Sequence, residues 1–393
     1  MQQSRFFPYS WCIDTEETEI TAFRIYGLDE KNRNVCVRIN DFQPFIYLEL
    51  PEIPGGWTSS KAQTLCNKID EIMGELKPLT KKLENKKKLF FASLVGNYQQ
   101  RPEEKRQQTY PYLFLAFSSQ EDIRALSNII RRPLFVSGMG ALHFKIHESN
   151  ASSILQFVCR RDIPIAGWIK FGGKRVDKKA MLTSCDREFI VKWSDVDPVP
   201  LSDPLASTVP KPKIMAMDIE TNALTQKADA PNNKVFQMSC VVARHGCPVE
   251  DYEKYLLTLG EPDVDIVGED VNVFMYKTEA DLLVGYTELI QEVNPNIIVG
   301  YNILAYDINY LITRAKQTQC MDEFDQQGFL KNAHAHEKSI KWSSSAYKNQ
   351  EFQYLDAEGR LVVDLLPLVQ RDFKMDNYKL DTVAKYFIGS SKD

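Results

Sequence analysis

The chain has 393 residues and a net charge of −5, with 44% hydrophobic and 26% charged residues, a composition that excludes a disordered or fibrous protein. No stretch reaches the roughly 18 consecutive apolar residues that a membrane helix needs, and the N-terminus lacks the pattern of a signal peptide. The eight cysteines form no Cys-x-x-Cys pair, so reduced thiols are expected. These features predict an intracellular protein of two or three domains.

A proline-rich segment divides the chain. Five prolines fall in the fifteen residues from Pro198 to Pro212, which predicts a linker and a domain boundary near residue 205. The predicted domains are therefore 1–205 and 206–393. The first carries 29 Lys and Arg against 25 Asp and Glu, and the second carries 19 against 28. The acidic second half favours a metal-dependent nuclease over a passive DNA clamp, because bound cations offset local negative charge.

The first 205 residues predict an antiparallel β-rich opening followed by an α+β subdomain. Alternating apolar residues predict strands, and apolar residues at helical spacing predict helices. The predicted strands are 20–26, 35–39, 45–50, 89–95, 112–117 and 165–169, and the predicted helices are 60–76, 119–130 and 151–161. We expect the helices to cover one face of a small sheet.

Two basic runs are candidates for contact with a nucleic-acid backbone. The run 81–88 has no interleaved aromatic residues, so a solvated loop or helix end is the favoured interpretation. The second run follows a pair of glycines and contains Lys174, Arg175, Lys178 and Lys179. It is the better candidate for salt-dependent phosphate contact, and a solvated loop remains an equal alternative.

An apolar strand at 212–221 carries two carboxylates at its end. Alternation sends residues i and i+2 to the same face, so Asp218 and Glu220 point together while Ile219 packs the other way. Two adjacent carboxylates repel unless a cation lies between them, and Mg²⁺ prefers such oxygen ligands. The pair is a candidate metal site, although Asp-x-Glu at a strand end is also common without a function.

A second apolar strand, 294–299, runs into a loop that ends in Asp307 at the start of a helical pattern. Nucleases gather two cations about 3.5–4 Å apart with acids placed at strand ends. Asp307 is therefore a candidate third ligand.

Further strands are predicted at 235–242, beside the first strand, and at 273–276. Thr278 is predicted to cap the helix that follows, and Asp281, three residues later, fits a capping role better than a catalytic one. 

The segment 319–360 is polar and irregular in pattern. His334 and His336 are interpreted as solvent-exposed residues rather than ligands. The stretch 353–364 predicts a hairpin that turns at Glu358 and Gly359.

The motifs together resemble those of family B DNA polymerases. Asp218-Ile219-Glu220-Thr221 is similar to their first exonuclease motif, and the stretch from Gly300-Tyr301-Asn302 to Tyr306-Asp307 is similar to the second. The runs 278–283 and 364–381 agree in order and spacing. The delta-like polymerases of eukaryotes and large DNA viruses are the branch that the chain resembles most. The resemblance implies a mixed α/β fold, in which a β-rich N-terminal domain precedes a ribonuclease H-like 3′–5′ exonuclease domain that is incomplete at its C-terminus.

The resemblance also implies a chemistry. Asp218, Glu220 and Asp307 would be the catalytic residues and would hold two Mg²⁺ or Mn²⁺ ions. Thr221, Asn302 and Tyr306 match positions at the terminal nucleotide. A strand-end hydroxyl and an Asx turn are equal alternatives for Thr221 and Asn302. The implied partners are DNA with a single-stranded 3′ primer end, the remaining polymerase domains and a sliding clamp, in the nucleus or at a viral replication site.

The sequence departs from the family in three places. The third exonuclease motif, Tyr-x-x-x-Asp, is missing, because only two residues separate Tyr378 from Asp381. Asp381 is therefore interpreted as a helix residue and not as a ligand. The palm motifs are also absent, so the chain is not expected to polymerise DNA alone, and the usual Gly-x-Phe-Pro-like segment after the first motif is replaced by polar residues. The alternative function is a non-catalytic module of a divided polymerase that binds DNA or assists assembly. A free-standing exonuclease is disfavoured by the long N-terminal region.

Overall fold

A computed structural model describes residues 3–14, 21–87, 109–223, 229–263, 267–342 and 350–389. The strand predicted at 89–95 lies outside these residues. The strands are β1 Ser4–Asp14, β2 Ala22–Asp29, β3 Asn34–Ile39, β4 Phe45–Glu49, β5 Thr80–Lys87, β6 Thr109–Ala116, β7 Leu134–Val136, β8 Gly140–Leu142, β9 Lys145–His147, β10 Ile169–Arg175, β11 Arg187–Pro198, β12 Lys213–Thr221, β13 Val235–Arg244, β14 Glu253–Leu259, β15 Val271–Tyr276, β16 Ile297–Gly300, β17 His336–Trp342, β18 Gln350–Asp356 and β19 Leu361–Asp364.

The helices are α1 Ser59–Met73, α2 Gln120–Ile129, α3 Ser153–Arg161, α4 Glu279–Val293, α5 Asp307–Gln317, α6 Met321–Phe324, α7 Leu365–Asp372 and α8 Leu380–Ile388, and short 3₁₀ turns lie at Gly74–Leu76, Lys178–Ala180, Pro204–Ser207 and Val249–Asp251. In the part of the chain that the structure describes, no helix has the length and hydropathy to span a membrane.

The chain divides into two compact units. The first comprises Met1–Arg24, Val37–Arg175 and Phe189–Ala206, and the second comprises Ile25–Cys36, Val176–Glu188 and Ser207–Asp393. One sheet is a closed barrel with the strand order β1-β10-β11-β3-β2. The boundary near residue 205 stays a prediction.

An antiparallel sheet with the order β5-β6-β4-β9 forms the α+β part of the first unit. Alternation along β4 and β6 sends apolar side chains into a core shared with α1 and α2. The core residues from these elements include Ile46, Leu48, Leu65, Ile69, Leu113, Leu115, Ile123 and Leu126. The prediction that helices cover one face of a small sheet is confirmed for α1 and α2, whereas Arg160 of α3 lies over the rings of Phe45 and Phe114, on the other face of the sheet. Ser119 and Asp122 form the predicted capping box of α2.

Two predictions in this half were wrong. The basic run 81–88 is not a loop or helix end, because residues 81–87 belong to β5, which pairs with β6 along its whole length. The strand predicted at 165–169 begins only at Ile169, and Gly172 and Gly173 lie in it at an irregularity of register. Strand β1 was not predicted. Pairing with distant strands decided these elements, and local composition did not reveal it.

The second unit contains a six-stranded sheet with the order β15-β14-β13-β12-β16-β19. β13 is antiparallel to both of its neighbours, whereas β16 and β19 run parallel to β12. The predicted mixed α/β fold class is confirmed. The core joins Met215, Met217 and Ile219 of β12 to apolar residues of α4 and α5.

The region 319–364 differs from the prediction. It contains α6, β17 and β18 in place of an irregular segment. The hairpin predicted at 353–364 does not form, because β18 pairs with β17 whereas β19 joins the large sheet beside β16. Gly359 still provides the turn between β18 and β19, with a φ of 84° that suits glycine. Strand β14 was also not predicted.

A buried ion pair links α4 to α5. Glu279, the first residue of α4, receives hydrogen bonds from Arg314 of α5 and from the backbone N–H of Val235, which is 2.9 Å from its Oε1. The two charged side chains are only 3% and 8% exposed. Thr278 caps the helix by accepting a hydrogen bond from the N–H of Asp281, as predicted.

Removing one partner of this pair is expected to destabilise the second unit strongly. Glu279→Ala leaves the guanidinium of Arg314 buried without its carboxylate, and we expect a loss of about 3–5 kcal/mol in the free energy of unfolding, measured by urea titration. Lys316→Ala is the matched control. Lys316 also lies on α5, and its exposed ion pair with Glu337 of β17 should contribute less than about 1 kcal/mol. Similar losses of unfolding free energy in both variants would contradict the conclusion that Glu279 anchors α5.

Candidate functional site

Asp218 and Glu220 lie at the C-terminal end of β12, where the strand runs between β13 and β16. The burial pattern alternates along this strand. Met217 and Ile219 are buried, and the two acids between and after them are exposed. The structure therefore places both predicted carboxylates on one face, as strand geometry requires.

Asp307 is the first residue of α5 and is only 4% exposed. Both the backbone of Ile219 and the charge of Asp218 influence its pKa, so it lies close to the strand that carries the other two acids. Burial and, as the second cause, the negative charge of Asp218 together raise the pKa of Asp307 to about 7. The fold thus brings Asp307 and Asp218 together from positions far apart in the sequence.

A cluster of hydroxyl groups lies beside the acids. Burial raises the pKa of Tyr306 and of Tyr310, and both lie close enough to Thr221 for its side chain to lower these pKa values in part. The ring centroids of the two tyrosines are 5.5 Å apart. Tyr306 is 39% exposed and lies close enough to Glu220 for that charge to raise its pKa, although burial is the larger cause. Tyr310 is buried and donates a hydrogen bond to the carbonyl of Asn233 at 2.9 Å. It was missed as a site residue, because in the sequence it reads only as part of an apolar helix face.

Asn302 lies in the loop between β16 and α5 with a φ of 66°, a left-handed conformation that asparagine tolerates better than most residues. Its backbone N–H donates to the carboxylate of Asp364, which also accepts from the N–H of Leu304. Asp364 was not predicted as a site residue. The available signal was its position, since it ends an apolar strand as Asp218 does.

The remaining candidates lie in other settings. His334 is 2.8 Å from a carboxylate oxygen of Asp325, which raises the pKa of the imidazole, and its side chain is exposed as predicted. Asp381 lies in the first turn of α8, in agreement with its interpretation as a helix residue.

The three predicted ligands suit a divalent cation by their chemistry, because all are carboxylates and one is buried against another acid. Within the described ranges, however, no three His, Cys, Asp or Glu side chains lie close enough together to hold a metal ion. Asp218, Glu220 and Asp307 therefore supply suitable oxygen donors without forming a closed coordination shell.

Neutralising Asp307 is expected to stabilise the metal-free protein at neutral and alkaline pH. A carboxylate whose folded-state pKa is raised favours folding below its unfolded pKa near 4, and this contribution is lost as the pH rises through about 7. Asp307→Asn should therefore match the wild type near pH 4 and exceed it by up to about 4 kcal/mol above pH 7, measured by urea unfolding in EDTA. Glu250→Gln, which removes an exposed carboxylate, controls for the change in net charge. Asp307→Asn that is less stable at every pH would contradict the raised pKa.

Comparisons with known proteins identify the family. The model of the DNA polymerase family B exonuclease domain matches residues 144–383. The chain is 38% identical to DNA polymerase 120R of Invertebrate iridescent virus 3, over 99% of this chain and 34% of the relative. It is 28% identical to the DNA polymerase delta catalytic subunit of Oryza sativa subsp. japonica, over 94% of this chain and 32% of the relative.

Among solved structures, the family B DNA polymerase of Pyrobaculum calidifontis superposes with a TM-score of 0.62 at 16% identity, over 98% of this chain and 40% of that one. The chain thus spans about a third of the length of the curated relatives that it matches. The family model covers more than half of the residues and includes both carboxylate motifs, and from this we conclude that the chain belongs to DNA polymerase family B and contains its exonuclease domain.

Proposed function

We propose that this chain is the N-terminal and proofreading part of a family B DNA-directed DNA polymerase that acts in DNA replication, and that it removes nucleotides from the 3′ end of DNA. The observation that carries the proposal is the convergence of Asp307 on the end of β12, beside Asp218. An acid buried against another acid is unfavourable for stability alone and is typical of a functional site.

Exonuclease domains of this family generally depend on divalent metal ions. We infer that Asp218, Glu220 and Asp307 hold two Mg²⁺ or Mn²⁺ ions. When bound, such a pair supplies an activated water and stabilises the departing 3′-oxygen.

The neighbouring side chains suit the substrate. Tyr306 exposes part of its ring beside Glu220, and an exposed aromatic ring can stack on an unpaired base whatever its identity. The ring of Tyr310, with its centroid 5.5 Å away, and the side chain of Thr221 lie beside it. Asn302 shapes the loop that leads to Tyr306. We infer that these residues position a single-stranded 3′ terminus at the acids.

The relatives reported above are viral and plant polymerases about three times as long as this chain. We propose that the chain acts with the remaining polymerase domains and with a sliding clamp, in the nucleus or at a viral replication site. In this scheme residues 1–205 form the N-terminal domain and residues 206–393 form the exonuclease domain without its last motif.

A second candidate function is a non-catalytic module that binds DNA or assists assembly of a divided polymerase. One observation favours it. The described residues contain no group of three ligands close enough together to hold a metal ion.

Mg²⁺-dependent degradation of a labelled single-stranded oligonucleotide separates the two functions. We expect no degradation by this chain alone, and degradation once the C-terminal part of a close relative, such as the iridescent virus polymerase, is added. Asp218→Ala should abolish that activity, because it removes a cation ligand.

The result would be read against two controls. Glu250→Gln, an exposed carboxylate on a 3₁₀ turn outside the site, should retain full activity. Degradation by the chain alone that Asp218→Ala removes would mean that the ligand set is complete within these residues. Activity that survives Asp218→Ala would refute the proposed site.

Stacking on Tyr306 predicts an effect on DNA binding. Tyr306→Ala should weaken binding of a single-stranded oligonucleotide by about 1–3 kcal/mol in fluorescence anisotropy, whereas Tyr306→Phe should retain most of the affinity because the ring remains. Tyr252→Ala is the control, because Tyr252 is also exposed. It follows the end of β13 that pairs with the start of β12, whereas the acids lie at the opposite end of β12. Equal losses for Tyr306→Phe and Tyr306→Ala would point to the hydroxyl instead of the ring.

A further inference from the structure

A buried carboxylate that none of the predicted roles uses lies close to the site. Asp364 ends β19, is 5% exposed and pairs in register with Gly300 at the end of β16. A buried charge is costly unless hydrogen bonds compensate it, so its partners indicate why it is there.

Asp364 receives three backbone hydrogen bonds. Its Oδ1 is 2.8 Å from the N of Asn302 and 3.0 Å from the N of Leu366, and its Oδ2 is 3.1 Å from the N of Leu304. The bond from Leu366 caps α7. The other two hold the loop at 301–306, one from each carboxylate oxygen.

The loop at 301–306 has a constrained backbone conformation. Asn302 has a positive φ, and the side chain of Ile303 lies 2.2 Å from the position that a Cβ on Gly300 would occupy, so the chain turns tightly where it leaves β16. The carbonyl of Asn302 accepts from the N–H of Tyr306, the residue that immediately precedes Asp307. The conformation of the loop therefore sets where α5 starts and where its first carboxylate points.

We infer that Asp364 is a positioning residue, whose two oxygens hold the loop at 301–306 so that Asp307 is presented to the end of β12. The inference rests on the proposed function, because it assigns Asp364 to the presentation of a cation ligand. It gives this buried acid a role distinct from capping α7. A residue in this role acts through the ligand and does not itself touch substrate.

Two substitutions separate holding the loop from capping the helix. Asp364→Ala removes both, whereas Asp364→Ser keeps a hydroxyl that can cap α7 but lacks the second oxygen needed to reach Leu304. The readouts are amide hydrogen exchange of the loop in the metal-free chain, the urea midpoint, and the affinity for Mn²⁺ followed by the electron paramagnetic resonance signal of the free ion. Thr278→Ala is the control, because it removes a cap from α4 in the same unit.

We expect both Asp364 variants to exchange the amides of the loop about tenfold faster or more and to bind Mn²⁺ about 10- to 100-fold more weakly. Asp364→Ser should recover most of the urea midpoint. Thr278→Ala should lower the midpoint without changing either loop exchange or Mn²⁺ affinity.

The outcomes that overturn the inference differ from those that refute the proposed function. Unchanged loop exchange in Asp364→Ala, or full recovery of Mn²⁺ affinity by Asp364→Ser, would reduce Asp364 to a helix cap. A wild-type chain that binds no Mn²⁺ would count against the proposed function. In that case, faster amide exchange of the loop in the Asp364 variants would still support the conclusion that Asp364 stabilises the loop at 301–306.

Discussion

The parallel pairing of β16 beside β12 is the constraint on which the site depends. Ile214, Met215 and Ala216 lie opposite Ile297, Ile298 and Val299, so the two strands end at the same edge of the sheet. The chain that leaves β16 must then turn within a few residues into α5, and its first residue is an acid. Two carboxylate motifs far apart in the sequence meet because the strands that carry them run side by side in one direction.

The interior of the second unit fixes that geometry. Glu279 joins the start of α4 to the start of β13 and to Arg314, two turns beyond Asp307 on α5. Arg314 also donates to the carbonyl of Ala230, in the segment that leads into β13. A buried ion pair of this kind is a poor source of net stability, but it has a defined geometry. Here it holds α5 in one position relative to the sheet.

The acids of the site differ in their exposure to solvent. Asp218 and Glu220 are exposed at a strand end, where water solvates them, whereas Asp307 is buried and carries a raised pKa. The cost of that arrangement in the metal-free protein is what a divalent cation would relieve. The described residues contain no group of three ligands close enough to hold a metal ion, and the chain spans about a third of the length of the relatives that it matches.

Much of the site could be predicted from the sequence because its signals are local. Strand alternation placed Asp218 and Glu220 on one face, the helical pattern placed Asp307 at a helix start, and Thr278 and Ser119 marked helix caps. Each of these depends on residues within a few positions of one another. The resemblance to family B polymerases rested on the same short motifs.

Tertiary structure alone decided which strands pair and which buried polar groups meet. The sequence from 353 to 364 has the pattern of a hairpin, yet β18 and β19 belong to different sheets, because pairing depends on partners far along the chain. The same holds for Asp364 and the loop at 301–306, and for Glu279 and Arg314. Local patterns determine which residues a strand or helix exposes, and only the assembled sheet determines what those residues touch.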